Sequence, residues 1–481
     1  MAGSAMVAKL ENALYLAAWN ESIAVFGSKA PGHARAFPLM AARWPGHNGR
    51  MTSAKPMPKK SLRHLRSSDL RAAALLATEA THAITRLTEG VHQSVWRTLG
   101  APSGDTTAQT RGLTGLIYQS IQGATRLVGQ GVTGALSRLE PLLQRIEGAA
   151  DESPERIAFV AALNGVMGDR LQASANPLAL AMTLRIQELP AHTSKGLEAD
   201  LPLKNQMPGA TSRLLLVIHG LCMNDLQWTT QQGGQRISHA QTLAQALGYT
   251  PVYLRYNTGL HVSQNGHALA AALEQLVLNW PLPLTELSVL VHSMGGLVTR
   301  SALHYATQDG QHWATLLKNI VFLGTPHHGA PLERAGNWVD VILGSTPYSR
   351  PFAKLGQLRS AGVTDLRYGH VLDVDWQGHD RFRRKPDSRQ PVPLPPQVAC
   401  FTIAATTAAQ RSKLADRLVG DGLVPLHSAL GHHDDPARQL LFAPERQHIV
   451  YRTNHMQLLG SAAVTQQLLR WLTPQPATDA A

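Results

Sequence analysis

The sequence predicts an α/β fold: a mostly parallel central sheet with helices on both faces, preceded by a helical extension. Three observations predict it. From Arg213 onward, short aliphatic runs alternate with amphipathic stretches, the pattern of successive βαβ units. The aliphatic runs are continuous, as in strands buried on both faces. Across 481 residues, 44% are hydrophobic and 16% charged, which leaves ample material for a large core.

Taken in order, RLLLVIHG (213–220) is the first strand of this region and SHAQTLAQALG (238–248) the first helix. PVYLRYN (251–257) and NGHALAAALEQLVLNW (265–280) repeat the pair. LSVLVH (287–292) and MGGLVTRSALHYA (294–306) repeat it again. NIVFLGTP (319–326), ACFTIAAT (399–406) and HIVYR (448–452) supply three later strands. The alternation breaks between about Gly329 and Val398, a stretch rich in Arg, Gly and Pro. An insertion of that length predicts a cap or lid over the sheet at about 329–398.

The chain before Arg213 has a different texture. Residues 1–66 read as a disordered or non-native extension, Pro/Gly/Arg-rich from 28, with a later start at Met51 or Met57 as the alternative. Residues 67–185 read as a helical region. Ser68 is a candidate N-cap, and Gly115, Gly123, Gly131 and Gly134 punctuate an apolar helix within 68–148. ERIAFVAALNGVMGDRL after Pro154 is a further helix, and 186–210 a polar connector. This helical region is expected to pack on the main domain. Its alternative is a peripheral contact with a membrane surface or a partner. Residues 474–481 read as a disordered tail.

The stretch VLVHSMGGLVTR (289–300) carries the sharpest functional signal. A buried strand ends at His292-Ser293 and turns at once into a helix. A sharp strand-to-helix turn strains its central residue and projects that side chain clear of the sheet, the geometry of a nucleophile elbow. Gly295 and Gly296 then let the helix pass close behind the strand. Where the signature G-x-S-x-G has its first glycine, this chain has Val291.

A serine nucleophile needs a base and oxyanion donors. Asp421, in Gly420-Asp421-Gly422 after the strand ACFTIAAT, is the candidate acid, with Asp416 its rival. His455, between the strand HIVYR and a final helix, is the candidate base. The order Ser293, Asp421, His455 is one of the chain orders in which a Ser-His-Asp triad occurs, the one that goes with a serine on a strand-to-helix elbow. The N–H of Met294, just after the nucleophile, and that of Leu221, just after the first strand, are the expected oxyanion donors. His219, Gly220, His292, Gly295 and His328 are expected to shape the site.

LVIHGL, VHSMGGL, FLGTPHHGAP, GDGLVP and NHMQLL resemble the lipase/esterase branch of the α/β-hydrolase superfamily over about residues 211–473. FLGTPHHGAP resembles the corresponding segment of bacterial lipases and of GPI-inositol-deacylase-like proteins. The resemblance implies an α/β-hydrolase fold with a cap, and a carboxylic ester substrate, perhaps a lipid ester. It implies the same roles for Ser293, Asp421, His455, Leu221 and Met294. Acyl transfer by the same triad and an inactive hydrolase-fold binding protein are the alternatives.

The bulk numbers exclude less. The net charge is +12, but 5% aromatics and no Arg/aromatic platform argue against nucleic acid as a partner. Cys222 and Cys400 have no CxxC or Cys/His ligand spacing and are expected to be free thiols. The histidine pairs 327–328 and 432–433 match no zinc pattern, so no metal and no cofactor is expected. No unbroken apolar segment marks a signal peptide or a bilayer span, which predicts a cytoplasmic chain. No feature sets an oligomeric state.

Overall fold

The computed structural model describes residues 152–188, 193–197, 202–232, 234–330, 359–382, 386–409 and 420–474, together with 66, 68–69, 71–81, 130 and 133–134. The described strands are β1 (Thr183–Glu188), β2 (Thr193–Gly196), β3 (Arg213–Ile218), β4 (Thr230–Gln232), β5 (Gln235–Ile237), β6 (Thr250–Arg255), β7 (Glu286–His292), β8 (Leu317–Leu323), β9 (Ala399–Thr406) and β10 (Gln447–Tyr451). Eight of them form one sheet in the order β2-β1-β6-β3-β7-β8-β9-β10, while β4 and β5 make a separate hairpin. From β6 to β10 all neighbours run parallel. β1 is antiparallel to both β2 and β6.

Five helices of more than one or two turns matter here: α1 (Pro154–Ala173), α2 (His239–Leu247), α3 (Val262–Leu278), α4 (Met294–Gln308) and α5 (Ala462–Leu472). The period of two along β3 divides the core. Leu214, Leu216 and Ile218 join Val160, Leu163, Leu269, Leu273, Leu297 and Val298 on the face covered by α1, α3 and α4. Leu215 and Val217 join Leu243, Val464 and Leu468 on the face covered by α2 and α5. A side chain of this size contributes about 1.5–3 kcal/mol when taken fully out of water, which is why aliphatic residues dominate both faces of the strands, and buried exceptions such as Ser288 and Thr402 are hydrogen-bonded. Local chemistry sets the helix ends. Ser238 caps α2 by accepting from the Gln241 N–H, and Gly248 ends it at φ 71. Ser461 caps α5 in the same way through the Val464 N–H.

The α/β class, the parallel sheet and the helices expected from Arg213 onward are present. The start of the sheet differs from expectation. β1 straddles the boundary placed at 185/186, and β2 lies inside the expected connector 186–210. Leu184 and Ile186 turn inward onto the core while Thr183 and Arg185 alternate with them, and a strand this short carries no continuous aliphatic run. Of the expected helical stretch 68–148, residues 68–69 and 71–81 are helical, as are 130 and 133–134. The remainder, Gly115, Gly123 and Gly131 among it, lies outside the described residues, and with it most of the stretch whose alternative reading is a contact with a membrane surface or a partner. So do residues 1–65, the core of the expected insertion (331–358) and 475–481. Ala72 is buried, Asp69 pairs with Arg156 of α1 at 2.6 Å, and the Ala72 carbonyl accepts from Asn176, so this helical piece docks on α1. Among the described residues no helix is long and apolar enough to cross a membrane. Cys222 and Cys400 are both free and buried.

Candidate active site

β7 ends at His292, and Ser293 makes the turn into α4 at φ 55 and ψ −126. Few residues with a Cβ adopt this backbone, and it costs about 1–3 kcal/mol unless the surroundings enforce it. They do: the Ser293 N–H donates to Leu323 O of β8 at 2.9 Å, and the Gly296 N–H donates to Ser293 O at 3.1 Å.

The helix passes very close to its neighbours. A Cβ on Gly295 would lie 2.8 Å from the carbonyl oxygens of Ile218 and His219. A Cβ on Gly296 would lie 2.2 Å from Thr325 Oγ1, 2.5 Å from its Cγ2 and 2.8 Å from Phe322 Cδ1. Gly296→Ala is therefore expected to cost about 1–3 kcal/mol by overpacking. Thermal unfolding of G296A, T325A and the double variant checks this. T325A should return most of the loss, because the Thr325 hydroxyl is buried without a partner and its removal is cheap. An unchanged melting temperature for G296A would contradict the packing.

The loops after β9 and β10 bring the other two groups together. His455 Nδ1 lies 2.6 Å from Asp421 Oδ2, and both side chains are about 2% exposed or less. The other carboxylate oxygen, Asp421 Oδ1, accepts from the backbone N–H of Leu423 (2.9 Å) and Val424 (2.8 Å). The His455 N–H donates to Asp421 O at 3.0 Å, so backbone and side chain fix one relative placement. With Nδ1–H turned to the carboxylate, the Nε2 lone pair is free. His455 Nε2 and Ser293 Oγ are both buried without a hydrogen-bond partner.

The remaining nominated residues surround this pair. The His292 ring lies 4.5 Å from the His455 ring, and its Nε2 bonds His455 O at 3.1 Å. Burial, with His455 beside it, holds the His292 imidazole well below its ordinary range, so it is a neutral donor. Gly220 faces the nucleophile: a Cβ there would lie 2.8 Å from Ser293 Cβ. His219 stacks on Tyr256 at 4.6 Å, and burial pushes its imidazole down to about 4. Its carbonyl accepts from the Tyr256 hydroxyl at 2.9 Å, so it braces the loop. The N–H of Met294 is the first of α4, where no intrahelical acceptor exists. Neither it nor the Leu221 N–H donates a hydrogen bond among the described residues. His328 is placed elsewhere. Its ring bonds Gly431 O at 2.9 Å and Arg389 at 2.8 Å, and no triad candidate is among its partners.

Two contributors escaped the sequence reading. Gly324 ends β8 at φ 57, and a Cβ there would meet His455 Nδ1 at 3.1 Å and Asp421 Oδ2 at 3.2 Å. A glycine closing a strand was the only available signal. Asp365, in the expected insertion, accepts from the Val262 N–H at 2.8 Å and bonds His261 at 3.0 Å. It seats residues 359–382 against the start of α3, and a Cβ on Gly362 would come 3.0 Å from Met294 Cε.

A family model described as a domain of unknown function (DUF7379) matches residues 181–366. No curated protein matches the chain. Among solved structures, the chain is similar to the mature lipase BlEst2 of Bacillus licheniformis, at 18% identity over 54% of this chain and 90% of that one, with a TM-score of 0.33. It is similar to the Staphylococcus hyicus lipase at 13% identity, over 54% of this chain and 93% of that one, TM-score 0.31. The metagenomic carboxyl esterase MGS0156 matches at 18% identity, over 50% of this chain and 64% of that one, TM-score 0.28. At such identity and overlap these likenesses assign no role to any residue here. The chain's own sheet order and elbow are those of an α/β-hydrolase fold.

Proposed function

We propose that this protein is a serine hydrolase of carboxylic esters, with Ser293 the nucleophile, His455 the base and Asp421 the orienting acid. One observation carries the reading. A strained, buried Ser293 with an unpartnered Oγ shares a site with a His455–Asp421 pair whose Nε2 is also unpartnered.

The chemistry follows from the placement. His455 Nε2 takes the proton of Ser293 Oγ as Oγ attacks the ester carbonyl carbon. The carbonyl π pair moves to oxygen, and the N–H groups of Met294 and Leu221 are positioned to donate to that oxyanion. As the carbonyl re-forms, the C–O bond to the alcohol breaks and the imidazolium returns its proton to the leaving oxygen. Water, giving a proton to His455, then attacks the acyl carbon, and as the acyl–Oγ bond breaks the imidazolium returns that proton to Ser293 Oγ and the acid leaves. Asp421 accepts from Nδ1–H throughout and stabilises the imidazolium. Ser293 is only 1% exposed, so an ester must displace the chain that covers it. A nucleophile this deeply buried is shielded from water until the acyl group has filled the site, which favours lipid-like acyl chains.

A p-nitrophenyl ester series combined with fluorophosphonate labelling tests this. One adduct on the wild type at Ser293 is the expected mass change. Each buried methylene contributes about 0.8 kcal/mol, about fourfold in kcat/KM. Octanoyl esters are thus expected to outpace acetyl esters by well over tenfold. Equal rates across the series would remove the lipid-like substrate and leave a general esterase. A folded wild type that takes no adduct would remove the hydrolase reading itself.

A further inference from the structure

The helix that carries Ser293 also carries Arg300, seven residues and about 10 Å further along. Arg300 is 92% removed from solvent, being 8% exposed, and this is an unusual place for a guanidinium. Its Nη2 donates to Val392 O at 2.6 Å, while its Nε is buried with no partner. No carboxylate forms an ion pair with it among the described residues.

Arg300 lines a small crevice, open to solvent, with His327, His328, Arg389, Gln390 and Arg438. His327 is fully buried, held edge-on by Phe322 at 4.8 Å and beside Phe442 at 5.5 Å. Both of its ring nitrogens lack a partner. The acids nearby are already committed. Asp387 is shared by Arg438 at 2.8 Å and Arg389 at 3.3 Å, and Asp435 pairs with Arg438 at 3.1 Å. Asp375 spends its oxygens on the backbone N–H groups of Val371, Leu372 and Gln390. Arg300 and Arg389 repel each other strongly enough that burial and this repulsion together bring the Arg300 guanidinium down to about 9, still charged at neutral pH.

Buried donors without acceptors and a buried charge without a counterion are rare unless an ion or water completes them. Water supplies hydrogen bonds but no charge. We infer that the crevice is a binding site for a small oxyanion of the phosphate or carboxylate class, held by the N–H groups of Arg300 and His327, with Arg389 and Arg438, whose donors are largely engaged by Asp387, Asp435, His328 and backbone carbonyls, adding positive charge beside them. The donor set suits it: a guanidinium gives paired N–H groups to two oxygens, and a neutral imidazole gives one more. The site does not depend on Ser293 being a nucleophile.

The test is thermal unfolding of the full chain in sodium phosphate replacing sodium chloride at constant ionic strength, for wild type, R300M and H327F. A saturable rise of about 3 °C or more in the wild type, lost in R300M, is the expected result. H327F keeps an aromatic ring between Phe322 and Phe442 and should weaken the phosphate effect at least tenfold in concentration. If R300M does not fold, H327F and phosphate titration of the wild type followed by ³¹P line broadening carry the test. Glycerol 3-phosphate separates the sources. A response at lower concentration than inorganic phosphate assigns a headgroup-type ligand, and the reverse a free ion. No phosphate effect beyond that of chloride, or an effect unchanged in both variants, overturns the site.

Discussion

Replacing Ser293 with alanine is expected to lower kcat for ester hydrolysis by about 10⁴-fold or more, with the fold intact. The alanine keeps the Cβ and therefore the strained turn, so only Oγ is lost, and Oγ has no partner to leave behind. The companion Asp421→Asn is the sharper test of mechanism. Asp421 Oδ1 accepts two backbone N–H groups and Oδ2 faces His455 Nδ1. An asparagine can keep its carbonyl on Leu423 and Val424 only by turning its NH₂ toward His455. That NH₂ needs an acceptor, which forces Nδ1 to lose its proton and Nε2 to gain one. The base then points a hydrogen at Ser293 where it needs a lone pair, and a loss of about 10⁴ in kcat follows without unfolding. Groups that act as one unit are not additive. The S293A/H455A double variant should be no slower than S293A alone. Kinetics of the four proteins on one ester decide the matter. Multiplying losses would mean that the residues act separately, and near-normal rates in D421N would remove Asp421 from its role.

Much of this site is legible in the chain because its parts are local. A strand, a turn and a helix follow each other within VLVHSMGGLVTR, and Gly295 and Gly296 pack against the ends of the two strands that flank it, at Ile218-His219 and at Phe322 and Thr325. Asp421 and His455 are legible because each follows a strand in the expected order. What was not legible depends on distant chain. Gly324 matters only because the loops after β9 and β10 return to it. His328, adjacent in sequence to the expected site, is drawn instead to Gly431 and Arg389. The short strands β1 and β2, the second of them at the sheet edge, have too few inward residues to signal a sheet. Arg300 reads as one polar position on an amphipathic helix. Its isolation appears only when the end of β8 and the segment around Val392 close over it.

The buried histidines make the second large expectation, a steep loss of stability in mild acid. Burial pushes the imidazoles of His219 and His239 down to about 4 in the folded protein. In the unfolded chain each titrates near 6.5. Between those values the unfolded state takes up protons that the folded state refuses. The stabilisation is thus complete above pH 6.5, falls as pH drops, and is exhausted near pH 4. The difference of about 2.5 units corresponds to about 3 kcal/mol per histidine. His292 and His327, held well below their ordinary range by burial and neighbouring positive groups, act in the same direction. The shifts of His219 and His239 alone reach the lower end of the stability of a typical domain, about 5–15 kcal/mol. His239 isolates one contribution, since it lies on α2 and none of Ser293, Asp421 and His455 is among its hydrogen-bond partners. Its Nε2 pairs with Leu458 O and its Nδ1 with Thr465 Oγ1, both at 2.8 Å. Glutamine at 239 offers an N–H and a carbonyl to the same two partners but does not titrate. The melting temperature of the wild type is expected to fall steeply from pH 6.5 to 4 at constant ionic strength. H239Q, less stable at pH 7 by about 1 kcal/mol for imperfect geometry, should fall less steeply by the equivalent of one proton. Parallel curves for the two proteins would show that His239 takes up its proton as readily folded as unfolded, and that burial of these imidazoles is not what limits the fold in acid.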